Sequence, residues 1–370
     1  MKRMEMSLSY ETLSVLESVE NGPCLSLYQE THRSSPDNKQ DPIRFRNLVK
    51  LLIASLREKY PETKPDDYIE LFDSLEKDSE FWAHNKEGLA VLAGAGQFQI
   101  FRLQRPVHEL AVTENVFFLG PLRHYLQSVD RFQILGLGLH RLQLFEGNRN
   151  SLDEIIPAPG VPITASSVLG DDLKEIEKSV SSHFGVGPGT IPSRHGYSDK
   201  QNEIDIDAEK YFRAVDKAVL KYHSHPSALP LILACLPEHQ HLFHQISSNP
   251  FLLEDGLGIN PEVLPIKELK ERAWKFIEPK YEKKLAMLAD DFIKAKAKGL
   301  GSDDIVKIGK AAAEGKVAIL LLDQDKLDEA DNGKIVEDLS VLVGKMGGQV
   351  QIIPSRHMPG QTGVAASYRY

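Results

Sequence analysis

Three groups of residues in this sequence have the types and spacing to do chemistry. The first is the run 184–196, FGVGPGTIPSRHG, with four glycines and two prolines. Backbone at Gly185, Gly187 and Gly189 can approach another molecule closely and leave its amides free as donors, and Arg194 and His195 follow directly. A plain surface connection explains the same composition. The second group is His239, His241 and His244 in PEHQHLFHQ, with His223 and His225 upstream. On a helix His241 and His244 share one side, a geometry open to a transition metal, but nothing beside them completes a ligand set. A solvated helix start is the simpler reading. The third group is Asp205, Asp207 and Asp216, the acids a Mg²⁺-dependent nuclease would need. Asp205 and Asp207 flank an expected helix start, where acids suit the helix dipole anyway.

Other chemistries fail on their motifs. There is no GxxxxGK[ST] phosphate loop, no GxSxG nucleophile elbow and no Cys-x-x-Cys. Gly136-Leu137-Gly138 lacks a third glycine before a helix, so a dinucleotide fingerprint is absent. No cofactor is expected.

The elements that must position these residues follow from apolar periodicity. Phe45, Leu48, Leu52 and Leu56 recur at spacings of three and four, which predicts a helix starting near Asp41-Pro42. Strands are expected at 24–28, 88–93 and 98–103, the last two joined by Gly94-Ala95-Gly96-Gln97 as a hairpin turn. A second β pair is read at 132–139 and 142–145, then a helix at 208–222 and a continuous apolar strand at 230–236. Beyond it come a helical region from 266 to 298 broken near Pro279, a helix at 302–314, a strand at 317–322, a helix at 335–345 and a strand at 350–353. The helix at 267–284 is rich in lysine, but its interleaved glutamates predict a salt-bridged, solvated face.

The chain has 370 residues with 53 acidic and 44 basic side chains, a net charge of −9. That excludes a generally basic nucleic-acid-coating protein but leaves room for a local basic face. The charge is uneven: −4 over 1–127, −7 over 128–262 and +2 over 263–370. Cys24 and Cys235 both sit in apolar runs and read as buried thiols of a cytoplasmic protein, not as a disulfide. No secretory signal and no membrane span is expected.

Several segments together resemble the bacterial branch of the archaeal–eukaryotic class-1 release factor and Pelota superfamily. They are CLSLYQETHRS with QDPIRFRNLVKLL, EGLAVL, DRFQILGLGLHRLQLFEG, GINPEVL with RAWKFIEP, and GVAASYRY. The resemblance implies three mixed α/β domains, 1–127, 128–262 and 263–370. The middle one would be RNase H-like, and the last a three-layer α/β domain like kink-turn-binding ribosomal proteins. It implies a ribosome or transfer RNA as partner, in translation rescue or a stress response. It also implies peptidyl-tRNA ester hydrolysis by a Gly-Gly-Gln loop, placed by order at 184–196. Here Val186 and Pro188 interrupt the glycines and no glutamine follows, so that role cannot be carried over. Gly347-Gly348-Gln349 spells the tripeptide elsewhere, where helix-capping glycines before a strand explain it. The acidic middle third leaves a noncatalytic protein-binding module, and the aspartates a metal-dependent nuclease, as the alternatives. Neither DNA nor a membrane is an expected partner.

Overall fold

The computed structural model describes residues 2–5, 8–19, 22–169, 196–327 and 333–370. It contains three sheets, each with its own core. The first runs β1 (Lys2–Glu5), β4 (Gln97–Leu103), β3 (Gly88–Gly94), β2 (Cys24–Glu30) and β5 (Leu110–Glu114), antiparallel except for β1 beside β4. Its central strands are buried at nearly every position because both faces are covered. Leu25, Leu27 and Val91 meet Phe45, Leu52 and Leu56 of α2 (Asp41–Lys59), with Phe72 of α3 (Asp66–Glu76) and Trp82 of α4 (Ser79–Ala83). Tyr28 and Leu92, of opposite parity, meet Leu13 and Leu16 of α1 (Tyr10–Glu17) and Leu122 of α5 (Gly120–Gln127). The expected stripe on α2 is therefore the helix's buried face.

The second sheet runs β8 (Leu152–Ile155), β7 (Leu142–Gly147), β6 (Phe132–Leu137), β9 (Leu231–Cys235) and β10 (Leu257–Gly258). In order of occurrence this is 3-2-1-4-5, the first three strands antiparallel and the fourth and fifth parallel to the first. That is the RNase H-like sheet. Helix α6 (Ser166–Leu169) and then α7 (Gly196–Val219) precede β9, and α8 (Pro237–Ile246) follows it. Tyr211, Phe212 and Val215 of α7 pack on Leu135, Leu233 and Cys235, while Ile134 and Ile232 face Leu269 and Ala273 on the other side. Leu269 and Ala273 belong to α9 (Ile266–Ala297), which runs on through Pro279 instead of breaking near it. One missing amide removes one hydrogen bond, which a 32-residue helix sustains.

The third sheet runs β11 (Gly301–Ser302), β14 (Val364–Tyr368), β12 (Val317–Asp323) and β13 (Gln349–Ile353). Helices α10 (Ile305–Ala313) and α11 (Gly333–Lys345) cover one face through Ile308, Ala312, Leu339 and Val343. Gly347, at φ +74°, and Gly348 close the last turn of α11. The Gly348 amide donates to the Val343 carbonyl at 2.8 Å. A Cβ on Gly348 would meet the Val317 carbonyl oxygen at 2.7 Å, so the tripeptide serves a helix cap and a close strand approach.

By packing, the chain forms two compact units, Asp130–Glu278 and a composite of Met1–Val129 with Pro279–Tyr370. Within the composite unit the buried Arg123 of α5 lies 2.6 Å from Glu17 of α1 and 3.7 Å from Glu337 of α11. Gly120 leaves space for this carboxylate: a Cβ there would stand 2.6 Å from it, so the Glu337 side chain would have to shift. Tyr28 donates to the Phe118 carbonyl beside this group. Burial and the Glu337 charge raise its pKa, with Arg123 opposing. Both cysteines are buried and unpaired, and burial pushes Cys24 up to about 11 and Cys235 to about 12. They are packing residues. Among the described residues no helix is long and apolar enough to cross a membrane.

Two stability outcomes follow. The β3–β4 turn puts Ala95 at φ 49° and Gly96 at φ 77°, the left-handed pair of a type I′ turn. Ala95→Gly relieves the side-chain penalty and is expected to stabilise by about 0.5–1 kcal/mol; chemical denaturation showing a loss would contradict the assignment. Arg123→Met removes the guanidinium between two carboxylates and is expected to cost about 2–4 kcal/mol. Adding Glu337→Leu should restore part of that, and strict additivity in the double-mutant cycle would contradict the coupling.

Candidate functional site

The sequence candidates Gly185, Gly187, Gly189, Arg194 and His195 lie outside the described residues. What the structure shows is the frame around them: α6 ends at Leu169 and α7 begins at Gly196. The connection from β8 to α6 is stapled to this frame at several points. Tyr211 donates its hydroxyl to the Ile163 carbonyl at 3.1 Å. The Leu142 amide donates to the same carbonyl at 2.9 Å, and the Ala165 amide donates to the His140 carbonyl at 2.9 Å. The Ala158 amide donates to Nε2 of His223 at 3.0 Å. Gly160, at φ +99°, lies where a Cβ would touch the Tyr222 ring at 3.3 Å.

Tyr222 and His223 face this connection from a five-residue π-helical segment, Leu220–Ser224, that follows α7. The wider turn resets which residues face the sheet after Val219. Asn249 donates to the Ser224 hydroxyl at 2.9 Å. Asp216, only 4% exposed, accepts from the Ser247 hydroxyl at 2.5 Å and the Ser248 amide at 2.9 Å. Asp216 therefore ties α7 to the chain leaving α8, and Asp207 pairs with Lys210 at 3.1 Å. Among the described residues neither acid belongs to a group of three or more that could hold a metal ion, and the side chain of Asp205 lies outside them.

The histidines of α8 serve different surroundings. His239 meets the edge of Phe212 with ring centroids 5.8 Å apart. His241 Nε2 lies 2.8 Å from the Gln245 side chain. His244 Nε2 is enclosed and has no hydrogen-bond partner among the described residues. Among the described residues no group of three or more His, Cys, Asp or Glu is placed to hold a metal ion. On α9 the interleaving expected from sequence is realised at Arg272, which pairs with Glu268 at 2.5 Å.

One charged surface escaped the sequence reading. The stretch 33–64 holds eight basic and four acidic residues in a chain whose total is −9. Along α2, Arg46, Lys50, Ala54 and Arg57 fall on one outward stripe opposite Leu48, Leu52 and Leu56. Arg46 is held by Glu76 at 2.6 Å. Lys50 and Arg57 are exposed and have no acidic partner among the described residues. Two helical turns apart, their Cα atoms are separated by about 10 Å along the axis. The signal was present as lysine and arginine at i, i+4 and i+11, but the apolar stripe of the same helix drew the reading to its buried face.

With this geometry in hand, the chain can be placed. Its residues 131–316 match the family model of bacterial archaeo-eukaryotic release factor family 3, and the protein belongs to that family. Among solved structures, archaeal translation termination factor aRF1 aligns over 99% of each chain at 13% identity, with a TM-score of 0.29. The archaeal Pelota of a ribosome-bound Pelota and ABCE1 model aligns over 77% of this chain and 80% of its own, at 14% identity and TM-score 0.42. Dom34 of S. cerevisiae, a translation termination-like factor, aligns over 72% and 75%, at 14% and 0.37. The family match, not these likenesses, carries the classification. The search of curated proteins found no match.

The His223 bond gives a pH test. As an acceptor, Nε2 requires a neutral ring, and burial lowers its pKa below the ordinary 6.5, with Glu146 partly opposing. A lowered folded value means full stability above about pH 6.5, lost as pH falls through the folded value. His124 behaves in the same sense, pushed down to about 4 by burial and Arg123, so it forms a background. His223→Gln retains an acceptor without titrating. Its melting temperature is expected to fall less than that of the wild type between pH 7 and 5, and parallel curves would contradict the role.

Proposed function

We propose that this protein is a ribosome-associated, release-factor-like factor acting in translation rescue or a stress response. Family membership supports the class. The single observation that carries RNA contact is the outward stripe of α2, where Lys50 and Arg57 have no acidic partner among the described residues on a chain of net charge −9. Two cations with Cα atoms about 10 Å apart along one helix suit phosphates along one strand or across a groove. Lysine and arginine facing water gain little at rest and release counterions on meeting a phosphate backbone. The division into segments 1–127, 128–262 and 263–370 belongs to the same reading, with RNA contact assigned to the first.

Hydrolysis of peptidyl-tRNA is the weaker part of this proposal. Three glycines of the 184–196 run support a loop that could approach an ester, and the missing glutamine opposes it. A purified protein that leaves peptidyl-tRNA intact on stalled ribosomes would remove it. The −7 charge of 128–262 favours a second reading, a noncatalytic module whose middle segment meets protein.

Cosedimentation with bacterial ribosomes across a salt series tests the lead reading. Each phosphate contact steepens log K against log salt by about 0.7–0.9. Lys50→Ala with Arg57→Ala is therefore expected to weaken comigration and flatten that slope by roughly 1.5. Comigration absent at every salt concentration, or a slope unchanged by the double substitution, would contradict it.

A further inference from the structure

Helix α2 carries five cations, Arg44, Arg46, Lys50, Arg57 and Lys59, and acids of neighbouring elements hold three of them. Arg46 pairs at 2.6 Å with Glu76, the last residue of α3. Arg44 lies 3.8 Å from Glu109, just ahead of β5. Lys59 pairs with Glu114 of β5 at 2.7 Å and donates to the Thr113 carbonyl at 3.0 Å. Lys50 and Arg57 alone have no acidic partner among the described residues. At 3.6 residues per turn these two fall beside Arg46, on the α3 side of the helix. Arg44 and Lys59 lie about 120° or more round it, toward β5.

The free cations therefore form a narrow strip with acid on both flanks. On one flank α3 packs close to α2: the Phe72 and Phe45 rings meet with centroids 6.0 Å apart. Helices packed in this way have axes about 8–10 Å apart. α3 holds five acids and no base, and its Asp66, Asp67 and Glu70 are exposed and pair with no base among the described residues. On the other flank stand the exposed Glu58 of α2 itself and then Glu109 and Glu114.

Resting on the RNA contact argued above, we propose that the strip takes one backbone of single-stranded RNA and turns a duplex away. Phosphates of a single strand can follow Lys50 and Arg57 along the helix. A duplex brings a second backbone alongside the first, over α3 or over the β5 edge, and both sides are carboxylate-lined. Like charges repel within a screening length of about 8–10 Å at moderate salt, which is the distance between α2 and its flank. Unflanked cations favour the opposite choice, because a double helix releases more counterions per contact, about 0.9 against 0.7 for a single strand. Preference for the single strand is thus a property of the acids, not of Lys50 and Arg57.

Fluorescence anisotropy of the full-length protein at low salt tests this with oligouridine, oligoadenosine and the duplex they form. Both single strands are expected to bind at least about fivefold more tightly than the duplex. Asp67→Asn with Glu70→Gln, two exposed acids of α3, should strengthen duplex binding and narrow that ratio at least about twofold, with the melting temperature preserved. Glu271→Gln with Asp290→Asn makes the same charge change at exposed positions of α9 and should leave the ratio unchanged. Duplex binding as tight as single-strand binding, a ratio unmoved by the α3 substitutions, or equal narrowing in the α9 control would overturn the preference and leave the RNA contact standing. Binding of neither form, or binding indifferent to Lys50→Ala with Arg57→Ala, would overturn the contact and the preference together.

Discussion

Burial of the central strands on both faces is the constraint on which this structure depends. Leu25 and Leu27 of β2 face one set of helices while Cys24 and Tyr28 face the other, and Leu231 and Ile232 of β9 divide in the same way. Strands buried on both faces have no surface left for function. Charged and polar side chains are therefore displaced to the outer faces of helices and to the ends of strands. The α2 stripe is one such outer face.

Buried polar residues hold these peripheral features in place. Asp216, Ser224 and Asn249 fix the chain that leaves α8. Tyr211 and His223 fix the connection that leads into α6. In the composite unit, Arg123 holds α1 and α11 through Glu17 and Glu337, and Gly120 leaves room for the second carboxylate. The oxygens of Asp216 and the ring nitrogen of His223 are engaged by these bonds. Candidate reactivity falls to the run 184–196 and candidate binding to the surface.

Periodicity made the centre of the fold legible and its margins illegible. The stripe at Phe45, Leu48, Leu52 and Leu56 and the apolar run at 230–236, which contains β9, were readable because burial dictates residue type along them. Strands β1 and β5 were not, since KRME and LAVTE sit at sheet edges and owe their conformation to pairing with distant partners. Strand β8 was hidden in the same way within a stretch that reads as loop. The π-helical turn that brings Tyr222 and His223 to Ala158 and Gly160 has no sequence signature. Asp216 read as a possible metal ligand because spacing alone does not show that its oxygens are already taken by Ser247 and Ser248.

The central claim is that this chain meets RNA through α2 and not through its acidic middle third. Ultraviolet crosslinking of the full-length protein to bacterial ribosomes, with mass-spectrometric mapping of the RNA-bearing peptides, tests it most directly. The account predicts crosslinked peptides that contain Lys50 or Arg57, diminishing as salt is raised. Crosslinks confined to residues 128–262, or none at low salt, would contradict it.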